Sequence, residues 1–397
     1  MGGTLVLCPS YCDWLKVLRG PSFSGQLPLF SPEVIGLIAD FLFELHPPKH
    51  SGNVENETIC CVKPPWSDVE GFMQASPDTH GMGFERWVSV LIIRESQDWK
   101  VAFKVSHLIR HGLFPSGFAD PLTFGRRELV CLDGTILPSE SSTLAQFPRL
   151  RAVCVECHED VRAATGVQRF AYRDVFSCLP PTVRHIEIKH AHGPDVNVIS
   201  CVKRDCPELE SLWLGRCTMF NRVPSCNFWD SFPHEHDSYI SSEGTDGYAH
   251  SLGVELSPLR NLRSVRLGIY LVPSTTVLAH RLFHARNLPV PPVINWQTQL
   301  HPPLDPNPNE NTQDPQPQPQ LAQISDLIAL LHQAPEKETC KECWQEFFAG
   351  TQSAEISATQ ILKGILPRLE LVEWMNWFSP FHLGIRSCLP VIRVEVS

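Results

Sequence analysis

Apolar positions along this chain repeat one short phrase, clearest in Pro207-Glu208-Leu209-Glu210-Ser211-Leu212-Trp213-Leu214. Its template is Pro-x-Leu-x-x-Φ-x-Φ, with Φ a large apolar residue. The phrase returns as Pro148…Leu150…Val153…Val155, as Pro181…Val183…Ile186…Ile188 and as Pro367…Leu369…Val372…Trp374. Leu262…Val265…Leu267 and Leu389…Ile392…Val394 repeat it without the proline. The two closing apolar positions alternate with other residues, so both point to one side of a short strand. The Leu-type position three residues earlier seals the turn into that strand. Those positions fall at 150, 183, 209, 262, 369 and 389, separated by 33, 26, 53, 107 and 20 residues. Because 53 is close to twice 26, one further copy is expected, decayed, between 209 and 262.

Periods of this size around an L-x-x-L-x-L core are the signature of leucine-rich repeats. Here the units are irregular and lack the Asn or Cys that usually follows the strand. A single unit cannot bury its apolar face, whereas stacked neighbours share one core. Each buried Leu, Ile or Val contributes roughly 1.5–3 kcal/mol to that core. The expected fold is therefore α/β: an irregular leucine-rich-repeat solenoid, with a curved, mostly parallel sheet, helices or loops outside, and a short helical segment in front. The competing reading is a set of strands in an ordinary α/β domain. In the solenoid, the positions between the buried pairs, Cys154, Glu187, Trp213, Arg266 and Glu373, are expected on the exposed face. Trp213 leads them, because aromatic residues dominate binding hot spots.

Read in order, the chain opens with a flexible lead-in at 1–26. Residues 27–82 hold one helix followed by loop-rich chain, and 83–286 hold the repeats. Within that span a strand is expected over Trp87–Ile92, the first array strand proper over 129–132, and a polar surface loop over 220–250. A Pro/Asn/Gln tract at 287–320 ends in Pro315-Gln-Pro-Gln-Pro-Gln320. Alternating prolines favour extended chain, so this is a disordered or semi-rigid insertion between repeats. Two amphipathic helices, one beginning at Leu321 and one over 336–349, and the terminal repeats fill 321–397.

The first helix starts at Phe30-Ser31-Pro32-Glu33-Val34-Ile35, with Ser31 as N-cap, Pro32 at the first helical position and Glu33 in the first turn. Val34, Ile35, Ile38, Phe41 and Leu42 form its apolar stripe. These residues resemble the opening helix of an F-box, with Phe30-Ser31 where the motif has Leu-Pro, and Glu33, Val34, Ile35, Ile38 and Leu42 on its acidic and apolar positions. Such a helix ahead of degenerate leucine-rich repeats is similar to the F-box-like families of mushroom-forming fungi. The family's pattern continues into two more helices with a Val-Cys-x-x-Trp phrase. Cys60-Cys61-Val62-Lys63-Pro64-Pro65-Trp66 echoes that phrase, yet its double proline has no place inside a helix. That half is either replaced or interrupted by an insertion.

The resemblance implies a receptor whose first helix docks on the Skp-type adaptor of a cullin–RING ubiquitin ligase, through Pro32, Val34, Ile35, Ile38 and Leu42. It also implies a protein target on the array, touched by Trp213, Glu187, Arg266 and Glu373. The target itself is not implied. The alternative is a stand-alone leucine-rich-repeat scaffold, in which the first helix only caps the open end of the array.

Composition narrows the chemistry. The 33 basic and 43 acidic residues leave a net charge of −10, against nucleic-acid or anionic-membrane binding as the main task. Fifteen cysteines without framework spacing and no recognisable signal segment point to a reducing cytoplasmic or nuclear setting. Cys154-Val155-Glu156-Cys157-His158 matches a haem-attachment pattern, but it lies on a repeat strand and lacks export. Cys340-Lys341-Glu342-Cys343 is half of a zinc-ribbon spacing with no matching half. No phosphate-binding Gly loop, nucleophile elbow or catalytic constellation stands out. The expectation is a non-enzymatic protein without cofactor or metal.

Overall fold

In a computed structural model of the chain, the described residues are 30–44, 66–93, 128–131, 151–157, 161–163, 170–172, 175–192, 195–216, 244–271 and 341–375, with a few isolated positions and the short 98–100 segment between them. The expectations for the lead-in at 1–26, the Pro/Gln tract, the helix beginning at Leu321 and the copy at 389–394 lie outside these residues.

Three helices come first: α1 (Pro32–Glu44), α2 (Trp66–Met73) and α3 (Pro77–Ser89). Two of them fall in or begin in the stretch expected to be loop-rich. Prolines explain the difference. Pro64-Pro65 precedes α2, and Pro77 opens α3 behind Ser76, which caps through reciprocal bonds with Thr79 (Thr79 N to Ser76 Oγ 3.1 Å, Ser76 N to Thr79 Oγ1 2.8 Å). Proline breaks a helix interior but favours a helix start. The strand expected over Trp87–Ile92 is likewise corrected: helix α3 runs through Ser89, across the expected boundary at 82/83, and β1 occupies Val90–Ile93.

A seven-stranded sheet follows, built from β1, β2 (Glu128–Cys131), β3 (Ala152–Glu156), β6 (His185–Ala191), β7 (Ser211–Arg216), β8 (Ser264–Leu267) and β9 (Leu371–Trp374), all parallel and in that spatial order. Strands β4 (Val161–Ala163) and β5 (Phe170–Tyr172) pair separately and antiparallel. The architecture is α/β with an open parallel sheet. Its first strand is β1, earlier than the expected 129–132. Strands β7 and β8 are direct neighbours, Leu212 opposite Val265. No decayed copy intervenes in the sheet between β7 and β8, and among the described residues of the 53-residue gap helix α5 (Gly244–Leu256) reaches into the expected 220–250 loop. Strands β8 and β9 also pair directly although 107 residues separate their Leu-type positions. Closure entropy grows only logarithmically with loop length, so such an insertion costs little.

One joint recurs at five of the described strands, β3, β6, β7, β8 and β9. The residue at each Leu-type position donates its N–H three residues back: Leu150 to Phe147, Val183 to Pro180, Leu209 to Cys206, Leu262 to Leu259 and Leu369 to Leu366. The carbonyl just before each strand then accepts two consecutive N–H groups of the next unit. Arg151 O takes Arg184 and His185, Arg184 O takes Glu210 and Ser211, Glu210 O takes Arg263 and Ser264, and Arg263 O takes Glu370 and Leu371. Phe147, Cys206, Leu259 and Leu366 are buried, which adds an apolar position to the phrase three residues ahead of the Leu.

The inward row Val153, Ile186, Leu212, Val265, Val372 shares one core with the faces of α4 (Asp195–Asp205), α5 and α6 (Lys341–Ile365), through Val198, Val202, Leu252, Leu256, Ala358 and Leu362. Helix α6 is longer than the expected 336–349. Backbones approach closely at the strand ends: a Cβ on Gly215 would sit 2.6 Å from the Ile188 carbonyl oxygen.

Candidate interaction surfaces

Two surfaces carry the residues singled out by sequence. The first is α1. Ile35 N–H donates to Ser31 O at 3.0 Å, and the Ser31 side chain, bonded to Glu33, holds that carboxyl below the usual range. The helix is apolar on nearly every side, a pattern expected of an element covered all round. Only one side is covered. Ile35 (4 % exposed) and Ala39 (0 %) turn inward, toward a unit whose interior includes Val69, Met73, Phe84 and Trp87. Trp87 takes Phe43 and Trp66 edge-on, at centroid distances of 6.4 and 5.3 Å. Gly83 lets α3 approach α2: a Cβ there would lie 2.7 Å from Met73 Cγ. Arg86 clamps the pair α1–α3, donating from Nε to Asp40 Oδ1 at 2.7 Å, again to Asp40 from its terminal nitrogen, and to the Met82 carbonyl at 3.0 Å.

The opposite side of α1 shows Phe30, Val34, Leu37 (68 % exposed), Ile38 and Phe41 (63 %) to solvent. Of the five positions expected to contact an adaptor, Pro32, Val34 and Ile38 are exposed and Leu42 is half-buried, whereas Ile35 is interior and leaves the set. Leu37, Phe41 and Phe30 belong on the face in its place. Their signal was present in sequence: 30, 34, 37 and 41 alternate spacings of four and three, the seam of a helix that packs on another helix. Together the five side chains expose a patch on the order of 500 Å², a size at which apolar patches mark contact sites.

The second surface is the outer side of the sheet. Register places Ile92, Val130, Cys154, Glu187, Trp213, Arg266 and Glu373 in one row across it. The register thus brings together the residues expected to face a target, but it does not leave them all open. Cys154 (3 % exposed) and Glu187 (0 %) are buried, so the expectation that they are exposed is corrected. Alternation decides which face a strand residue takes; what lies over that face is decided elsewhere in the chain. Lys189 Nζ stands 3.6 Å from Glu187 Oε1. Trp213, half-buried, lies under the Arg266 guanidinium, 5.4 Å from Cζ to the ring centroid, and Arg266 Nε is 2.6 Å from Glu373 Oε2. Burial pushes the Glu373 carboxyl up, and Arg266 opposes that shift.

Charges one step before the strands pair the same way, Arg184 with Glu210 at 3.1 Å and Arg263 with Glu370 at 3.4 Å. At the far end of the strands, Glu156 meets His190 Nδ1 at 2.8 Å, where a bulge holds His190 at φ 49°. These polar groups are largely matched within the fold.

Nucleophilic and metal chemistry finds little footing among the described residues. Burial pushes the Cys201 and Cys206 thiols up to about 12, so both stay protonated. No group of three or more His, Cys, Asp or Glu side chains is placed to hold a metal among them. The strand order never reverses, so the sheet lacks the switch-point crevice where open α/β sheets usually hold small ligands. No helix among the described residues is long and apolar enough to cross a membrane. Compared with known protein families, with curated proteins and with solved structures, the chain gives no match.

Proposed function

We propose that the chain is an F-box-like substrate receptor: α1 docks on the Skp-type adaptor of a cullin–RING ubiquitin ligase, and a leucine-rich-repeat-like solenoid holds a protein target. The observation that carries this reading is the outward apolar seam on α1, set on a unit of three helices that leads directly into a strand array. An apolar seam left open on a helix whose other side is already packed calls for a helical partner. The solenoid reading rests on five strands that enter through the same hydrogen-bonded joint, in chain order and in register. The protein itself is non-catalytic in this reading, and the adaptor-facing residues are Phe30, Val34, Leu37, Ile38 and Phe41, flanked by Pro32.

The alternative scaffold, with α1 only capping the array, is less well supported, because a cap would turn its apolar stripe onto the repeats. Binding of the full chain to a purified Skp-type adaptor, with Val34→Asp and Ile38→Asp as variants, separates the two. Micromolar or tighter binding by the parent and its loss in both variants supports the receptor. A parent chain that fails to bind removes the adaptor and leaves the scaffold.

A further inference from the structure

The open seam of α1 reads the same in both directions. Phe30, Val34, Leu37 and Phe41 are separated by four, three and four residues, so reversing the helix leaves the spacing unchanged. All four side chains are exposed with the whole chain present. A two-fold pair of antiparallel helices needs that symmetry, because residue i of one copy meets residue j of the other while j meets i. With the axis at the level between Ile35 and Gly36, Phe30 lies against Phe41 of the second copy and Val34 against its Leu37. Each pairing occurs twice, giving four apolar layers that use the whole seam.

Charge selects the antiparallel direction. Glu33 and Asp40 are two turns apart and share one flank of the seam. Arg86 stands on that flank too, donating to Asp40 and reaching the Gly36 carbonyl at 3.4 Å, so its guanidinium sits at the level of residues 36–40. In the antiparallel pair Glu33 falls opposite position 38 of the second copy, within that level and on the same side. A parallel pair would instead set the acidic flank against the other side of the seam, where α1 carries no basic residue. Area sets the strength. A patch on the order of 500 Å² on each copy means roughly 1,000 Å² buried in all, the lower limit for specific association.

We infer that α1 is a self-association site: two copies of the chain pair antiparallel through the Phe30–Val34–Leu37–Phe41 seam, with Glu33 of each facing Arg86 of the other. The dimer is reversible, with a Kd of about 1–100 µM. Its consequence, that an adaptor must first separate the copies, rests on the receptor reading above; the dimer itself does not.

Sedimentation velocity of the full chain from about 1 to 200 µM tests this, because a self-associating chain responds to its own concentration. The parent should pass from monomer to dimer, and Phe41→Asp should weaken the pairing at least a hundredfold and stay monomeric. Should Phe41→Asp fold poorly by circular dichroism, Glu33→Arg, changed on an exposed side chain, should weaken the dimer about tenfold at low salt and less at high salt. Direction is read by p-benzoylphenylalanine in place of Phe41: light should join it to the Phe30 end of the second copy. A parent that stays monomeric overturns the inference, as does a dimer that survives Phe41→Asp, which would lie on another surface. Cross-linking to residue 41 of the second copy overturns the antiparallel pairing. A dimer formed by a chain that binds no adaptor sustains the inference and removes the receptor. Adaptor binding by a chain that never dimerises does the reverse.

Discussion

The three-helix unit and the strand array solve opposite problems. Around α1 the interior is filled and the outside is apolar and open; on the sheet's outer face the charged groups Glu187, Arg266 and Glu373 each already have a partner within the fold. Leu37 and Phe41 are largely exposed, whereas Arg266 is held between Trp213 and Glu373. Burying an open apolar face is favourable by itself. Opening a matched set of charges to meet a guest first costs the contacts already made. In the proposed receptor, affinity would then reside on α1, and the sheet's outer row would act by shape and discrimination.

That contrast can be broken at several points. The largest effect on folding belongs to the shared inward row: Leu212→Ala should lower stability by about 2–5 kcal/mol in urea unfolding, as deletions in filled cores do. If the loss is near zero, the strands do not share one core. Changing the open seam should do the reverse. Leu37→Asp with Phe41→Asp should leave unfolding within about 0.5 kcal/mol of the parent while lowering adaptor affinity at least a hundredfold, read by calorimetry. A large stability loss would mean the seam is interior after all.

Helix α6 supplies a charge test. Burial pushes the Glu355 carboxyl up to about 7 from 4.5. A raised carboxyl stabilises the fold when protonated, so its contribution is full below pH 4.5 and is lost as pH rises through 7. Glu355→Gln should flatten the stability profile between those values and gain about 1–3 kcal/mol at pH 8. An unchanged profile would place the carboxyl in water. The smallest effect is expected on the outer row: Arg266→Ala removes the contact over Trp213 and the partner of Glu373, costing about 1 kcal/mol in thermal or urea unfolding. A much larger loss would make that row a structural core instead of a surface.

The repeat phrase was legible because a strand's two-residue period and a fixed turn write themselves into adjacent positions. Leu150, Val183, Leu209, Leu262 and Leu369 could be named from sequence, and each is buried at the same joint. The helices α2 and α3 were hidden by prolines that mark starts as readily as breaks. Ile35 and Leu37 could not be told apart, since both are apolar and two positions apart on a helix that is apolar on nearly every side.

Sequence by itself determined the local alternation, the places where strands begin, and the caps of α1, because those depend on residues within a turn or two of each other. Only the tertiary structure decided that β7 lies against β8, that Glu187 and Cys154 are covered, and which side of α1 is left open. Each of those outcomes is set by what packs against the element from dozens of residues away, and no local period carries that information.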